Sequence, residues 1–93
     1  MEANIAHTGQ AGTLESMDCL VVITTSDSGR VIEITGSAAS RFRVTMERRI
    51  NEALDTLGAS EPVNVSVQDN GALDIVLGAR VEAAYKRYRG CAK

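Results

Sequence analysis

The feature that most constrains the fold is a short apolar run, Cys19-Leu20-Val21-Val22-Ile23-Thr24-Thr25, in a chain of 93 residues. Apolar and β-branched residues in a run of this length are typical of a strand. Apolar residues on both faces indicate a central strand that is covered on both sides. Aromatic residues make up only 3% of the chain, so the core must be aliphatic. A chain this short forms one small domain.

Two further strands are predicted after this run. The turn signal Ser26-Asp27-Ser28-Gly29 connects the first strand to a second one at residues 30–35. A short polar turn of this kind predicts that the two strands form an antiparallel hairpin. Pro62 begins a third strand, in which alternate valines share one face and polar residues share the other.

Apolar residues at three- and four-residue spacing predict two amphipathic helices. The first extends from an N-cap at Ser37 to Gly58 as its terminating glycine, and the second extends from about residue 72 to 89. The predicted apolar stripes are Ala39, Phe42, Met46, Ile50, Ala53, Leu54 and Leu57 in the first helix, and Leu73, Leu77, Val81, Ala84 and Tyr88 in the second.

The element order, strand-strand-helix-strand-helix, predicts a small α+β domain. Its three-stranded sheet has the order 2-1-3 and carries both helices on one face. Because the other face is then open, we expect a partner to cover the second apolar face of the first strand. Residues 1–18 have no helix or strand periodicity and predict a flexible N-terminal arm, so that residues 19–93 form the single α+β domain.

Composition argues against several classes of protein. The formal net charge of −2 provides no net attraction to nucleic acid or to an anionic membrane. The longest apolar run is too short to cross a bilayer and no signal peptide is visible, so we expect a cytoplasmic protein without a membrane partner.

Cys19 is expected to be a buried thiol. His7 lacks the additional ligands of a metal site, so no metal is expected.

The segment Ala11-Gly12-Thr13-Leu14-Glu15-Ser16-Met17-Asp18 places one serine between two carboxylates. It lacks the apolar spacing of a core segment, so Ser16 is predicted to be accessible to a modifying enzyme. From spacing alone, Ser16 is a polar turn residue. No histidine or lysine base lies near it in the sequence, and the carboxylates do not by themselves make it a nucleophile.

This segment resembles the N-terminal signature of the citrate lyase acyl carrier protein family, the gamma subunit of that complex. A second segment, Asp69-Asn70-Gly71-Ala72-Leu73-Asp74, with Ala79-Arg80-Val81-Glu82-Ala83 after it, is similar to the family's turn and final helix. The chain length and the order of the two segments agree with the family. Met17 departs from the pattern, because many members have a second serine at that position.

The resemblance implies that Ser16 carries 2'-(5''-phosphoribosyl)-3'-dephospho-coenzyme A through a phosphodiester. The chain would then be a carrier subunit for acetyl and citryl thioesters, with no catalytic residue of its own. The implied partners are the transferase and lyase subunits, the enzyme that attaches the prosthetic group, and the ligase that acetylates it. A carrier of the same prosthetic type for citramalate lyase or malonate decarboxylase is the near alternative.

A small α+β nucleic-acid or regulatory binding module is the alternative from another class. Arginines on both predicted helices permit it, whereas the net charge and the scarcity of aromatic residues argue against RNA binding. The simpler interpretation of the arginines is a solvated face with local ion pairs. In the functional interpretation, some of them bind the prosthetic phosphates or an acidic partner, and Arg80 is the first candidate because it lies in the second matching segment.

Overall fold

The structure, a computed structural model, describes residues 7–91, so residues 1–6 of the predicted arm and residues 92–93 lie outside the described residues. Both predicted helices and all three predicted strands are present, which confirms the α+β class, and one further strand precedes them. In chain order the elements are β1 (Thr8–Gly12), β2 (Asp18–Thr25), β3 (Val31–Thr35), α1 (Ala39–Thr56), β4 (Val63–Asn70) and α2 (Asp74–Cys91).

The sheet has four strands in the order β1-β2-β4-β3, so the predicted three-stranded sheet of order 2-1-3 is wrong. β2 pairs antiparallel with β1 and β4, whereas β3 pairs parallel with β4. The predicted hairpin between β2 and β3 is therefore also wrong. The reason is that α1 forms the crossover of a β-α-β unit, which returns β4 directly beside β3 and so inserts β4 between β2 and β3.

β1 lies in the segment that was expected to be a flexible arm without strand structure, and this expectation is wrong for residues 8–12. Its pairing with β2 extends from Thr8 opposite Thr24 to Gly12 opposite Leu20. A Cβ atom at Gly9 would overlap the main chain of α2 at Ala84 and Tyr88. The small residues of this segment therefore allow a strand to lie directly under a helix, although their composition suggested mobility.

The core lies between one face of the sheet and the two helices. Val21 pairs with Val67 and Ile23 with Val65, and all four side chains are almost fully buried. β2 is an interior strand, as its apolar run predicted. On the opposite face Leu20 and Val22 are only half-buried, so their coverage by a partner stays a prediction.

Two residues of the predicted apolar stripes are outside the core. Phe42 is 47% exposed, because its backbone leaves helical geometry (φ −116°, ψ 17°) and the first turn of α1 is kinked there. Leu73 is 56% exposed, because α2 begins only at Asp74.

The N-cap of α1 is Ala38 rather than the predicted Ser37, and no side chain caps the helix there. Over the described range 7–91, neither helix is long and apolar enough to span a membrane.

Candidate functional site

Ser16 lies in the loop between β1 and β2, residues 13–17, which we call the Ser16 loop. All five of its residues are exposed. The backbone N–H of Asp18 donates to the carbonyl of Glu15 at 3.2 Å, which closes a turn with Ser16 and Met17 at its corners. Met17 has φ +66°, and a positive φ at the third position is typical of a type II turn. Ser16 therefore occupies an outward corner of the loop.

Backbone and side-chain hydrogen bonds attach the Ser16 loop to the end of β4. The N–H of Met17 donates to the carbonyl of Asn70 at 2.7 Å. In return, the Asn70 side-chain amide donates to the carbonyl of Leu14 at 2.9 Å. The loop is thus held from both sides of Ser16, and the second segment of the family resemblance supplies the residue that holds it.

Asp18 is the centre of the network under this loop. Arg80 of α2 donates from Nε to Oδ1 at 3.0 Å and from Nη2 to Oδ2 at 2.9 Å. The Thr13 hydroxyl donates to Oδ2 and the N–H of Cys19 to Oδ1, both at 2.7 Å. The hydrogen bonds from Arg80, then those from Thr13 and Cys19, hold the pKa of Asp18 far below its usual range. Asp18 is therefore an ionised structural anchor.

Gly12 is required where β1 enters the loop. Its φ is +97°, and a Cβ atom there would overlap the carbonyl oxygen of Cys19 and approach Arg80 Cδ to 3.2 Å. A residue with a side chain at this position would clash with the main chain of β2 and would be strained at this positive φ. The glycine of the matching segment thus permits the close approach of the β2 main chain at the base of the loop.

The site offers an exposed serine hydroxyl. Within residues 7–91, the Ser16 hydroxyl makes no hydrogen bond. His7 lies at the far end of β1, where its ring contacts Tyr88 at a centroid distance of 6.3 Å. No cluster of three metal-ligating side chains occurs in the part of the chain that the structure describes. Ser16 is therefore an exposed hydroxyl with no hydrogen-bonded base in the part of the chain that the structure describes.

Several arginines of the described residues form ion pairs, but only Arg43 and Arg49 have the local partners that the simpler interpretation predicted. Arg43 pairs with Glu47 one turn along α1 at 3.0 Å, whereas Arg89 pairs with the distant Glu61 at 2.7 Å. Arg80 differs, because its partner is the loop anchor Asp18. Sequence reasoning placed Arg80 near the site but did not find this pair, since the two residues are 62 positions apart. The only indication in the sequence was that Asp18 lies in the first segment that resembles the family and Arg80 lies in the second.

Comparison with known proteins finds relatives that match most of this chain. A family model described as malonate decarboxylase delta subunit (MdcD) matches residues 6–88. The citrate lyase acyl carrier protein of Haemophilus influenzae strain PittGG is 45% identical over 83 residues, which cover 89% of this chain and 85% of the relative. The protein of the same name from Weissella paramesenteroides is 35% identical over 89% of this chain and 84% of the relative.

A solved structure shows a similar fold. It is described as the crystal structure of a Pseudomonas malonate decarboxylase hetero-tetramer in complex with malonate. One of its chains superposes with a TM-score of 0.56 over 89% of this chain and 87% of that one, at 17% sequence identity. The likeness extends over most of both chains and concerns the fold.

Proposed function

The chain belongs to the citrate lyase acyl carrier protein family, and we propose that it is the carrier subunit of a citrate lyase complex with Ser16 as its attachment residue. The observation that carries this proposal is the Ser16 loop itself. It presents one exposed serine on a turn that β4 and Asp18 hold in place. An attaching enzyme then meets a hydroxyl of defined position, which lowers the entropic cost of productive binding.

The residues around Ser16 fit 2'-(5''-phosphoribosyl)-3'-dephospho-coenzyme A as the attached group. A phosphodiester needs an accessible hydroxyl and tolerates few uncompensated negative charges. Ser16 provides the hydroxyl, and the ion pair with Arg80 compensates the Asp18 carboxylate beneath the loop. When bound, the group supplies a thiol that carries acyl groups as thioesters.

This chain's own residues would position that group rather than perform chemistry. Thr13 and Asp18 fix the base of the loop, and Asn70 fixes its middle. Arg80 uses Nε and Nη2 on Asp18, so we assign it to support the loop rather than to bind the phosphates. We propose that catalysis belongs to transferase and lyase subunits. An attaching enzyme and an acetylating ligase would act on the carrier in the cytoplasm.

The near alternative is a carrier for malonate decarboxylase, or for citramalate lyase. The description of the matching family model favours the former. The sequence relatives favour citrate lyase, since proteins of that name are 35% and 45% identical over most of their length. The malonate decarboxylase structure, at 17% identity, shows the fold alone. No observation supports the nucleic-acid or regulatory module, and we do not propose it.

Intact mass spectrometry tests the attachment. The chain is co-expressed with the prosthetic-group-attaching enzymes, as the parent, as Ser16→Ala and as Ser28→Ala. Ser28 is a matched control because it is also an exposed serine beside an acidic residue in a turn. We expect an adduct of the prosthetic-group mass in the parent and in Ser28→Ala, and none in Ser16→Ala. An adduct that persists in Ser16→Ala would overturn the assignment of Ser16.

The same co-expression tests the carrier role. A parent chain without any adduct, although the attaching enzymes modify another carrier, would contradict a carrier function for this chain. To separate citrate lyase from its alternatives, loaded carrier is supplied to the transferase and lyase subunits of each complex. We expect turnover of citrate with citrate lyase subunits, and turnover only with those of malonate decarboxylase would overturn the citrate assignment.

A further inference from the structure

An open groove lies between the N-terminal ends of α1 and α2, beside the turn that joins β4 to α2. Its volume is about 290 Å³, near the lower end of the range for small-molecule sites. Its apolar lining comes from Ala38, Phe42 and Met46 on one side and from Ala72 and Leu77 on the other. Met46 and Leu77 belong to the core, whereas Phe42 is 47% exposed at the kink of α1.

The groove adjoins the Ser16 loop directly. Gly71 lines the groove, and the position of a Cβ atom on Gly71 lies 3.8 Å from Met17 Cα. Ser16 directly precedes Met17 in the chain, so the Cα atoms of the two residues are about 3.8 Å apart. The hydrogen bond from the Met17 N–H to Asn70 keeps the loop and the groove wall together.

The charges of the groove select an uncharged occupant. No lysine or arginine lines it, so it has no group that would bind a phosphate. Its two carboxylates already have partners. Asp69 accepts hydrogen bonds from the N–H groups of Gly71 and Ala72, and Asp74 pairs with Arg49 at 3.3 Å. A neutral chain with apolar segments and amide groups fits such a surface.

We propose that this groove is the resting site of the pantetheine arm of the carrier's own prosthetic group, with the phosphates left outside. The inference rests on the proposed attachment at Ser16. Covalent attachment makes even a weak site effective, because a short flexible tether produces a local concentration of roughly millimolar order. For a site with an affinity of roughly 0.1 mM, the arm would lie in the groove about nine-tenths of the time.

NMR spectra of the isolated carrier before and after loading test this placement. Mass spectrometry first establishes that Ser16 bears the group, so failure of the proposed function is recognised before the groove is tested. We expect amide and methyl shifts at Ala38, Thr45, Met46 and Ala72 in addition to the Ser16 loop. Residues of the helix-free sheet face, such as Val22, serve as the internal control and keep their shifts.

Accessibility of the arm's thiol provides a second readout that needs no catalytic activity. Thr45→Trp fills the groove from an exposed position on α1, and Val44→Trp is the matched control because Val44 is 79% exposed and does not line the groove. All proteins carry Cys91→Ser, which leaves buried Cys19 as the protein's own thiol. We expect the loaded arm to react roughly tenfold faster with a disulfide reagent in Thr45→Trp than in Val44→Trp.

Two results would overturn the proposal while leaving the carrier function intact. One is a loaded carrier whose shifts are confined to residues 13–18, with equal thiol reactivity in both tryptophan variants. The other is the appearance of groove shifts only when a transferase or lyase subunit is added, which would make the groove a docking surface for that subunit. If Thr45→Trp does not fold, the NMR spectra of the parent carrier before and after loading decide alone whether the arm lies in the groove.

Discussion

Arg80 of α2 binds Asp18 of β2 in a bidentate pair that joins the last helix to the base of the Ser16 loop, with N–O distances of 3.0 and 2.9 Å. The Asp18 side chain is 13% exposed and that of Arg80 is 39% exposed, so the pair is partly shielded from solvent. Planar guanidinium–carboxylate pairs fix orientation as well as distance. The pair therefore determines how the loop stands on the domain.

We expect Arg80→Gln to loosen the Ser16 loop without unfolding the domain. The glutamine cannot make the two parallel hydrogen bonds, and Asp18 keeps only Thr13 and its backbone donor. Hydrogen exchange at residues 13–18 should become several-fold faster. Attachment of the prosthetic group should become slower, as followed by intact mass. Arg48→Gln is the control because Arg48 is exposed. Equal exchange in the two variants would show that the pair does not hold the loop.

The ionisation of Asp18 predicts a loss of stability in acid. Its pKa is lowered in the folded state, first by Arg80 and then by Thr13 and Cys19. Because the pKa of Asp18 is lower in the folded protein than in the unfolded chain, its ionised carboxylate stabilises the fold fully above the unfolded-chain pKa of about 3.9. This stabilisation is lost as the pH falls towards the pKa that Asp18 has in the folded protein. Urea unfolding at pH 7, 4 and 2.5 should therefore show a steeper decline for the parent than for Asp18→Asn. Parallel declines would contradict this role of Asp18.

Gly9→Ala should separate β1 from α2. The added methyl group would overlap the carbonyl oxygen of Ala84 and the main chain of Tyr88, and neither backbone group can move without shifting the helix. We expect a loss of about 1–3 kcal/mol in the free energy of unfolding, measured in urea. Gly90→Ala is the control, since a Cβ atom there has no neighbour within 4 Å. A Gly9→Ala protein as stable as this control would contradict the packing of β1.

The sequence predicted the elements whose pattern is local. The alternation of β4 and the spacing of Met46, Ile50 and Leu54 in α1 have the periods of a strand and a helix, and these side chains are buried as predicted. Phe42 shares the helical spacing but is exposed, because a kink in the first turn of α1 is not encoded in periodicity.

The errors concern relations between distant segments. The turn after β2 predicted that β3 pairs with β2. In the structure the crossover through α1 places β4 between β2 and β3, so β4 pairs with β2 instead. β1 was missed because Gly9 and Ala11 have little strand propensity, and their small size is explained only by α2 above them. The resemblance predicted Ser16 as the site, but nothing in the spacing shows that Asp18 and Arg80 would meet.

Cys19 should be almost unreactive in the folded protein. Burial, followed by the nearby carboxylates of Asp18 and Asp69, raises the pKa of its thiol to about 11. At pH 8 the folded protein would then hold a thiolate fraction about 100-fold smaller than the unfolded chain does. In the Cys91→Ser protein, reaction with a disulfide reagent should be at least about 100-fold slower in buffer than in urea. Comparable rates in both solvents would show that the base of the Ser16 loop opens to solvent in the folded state.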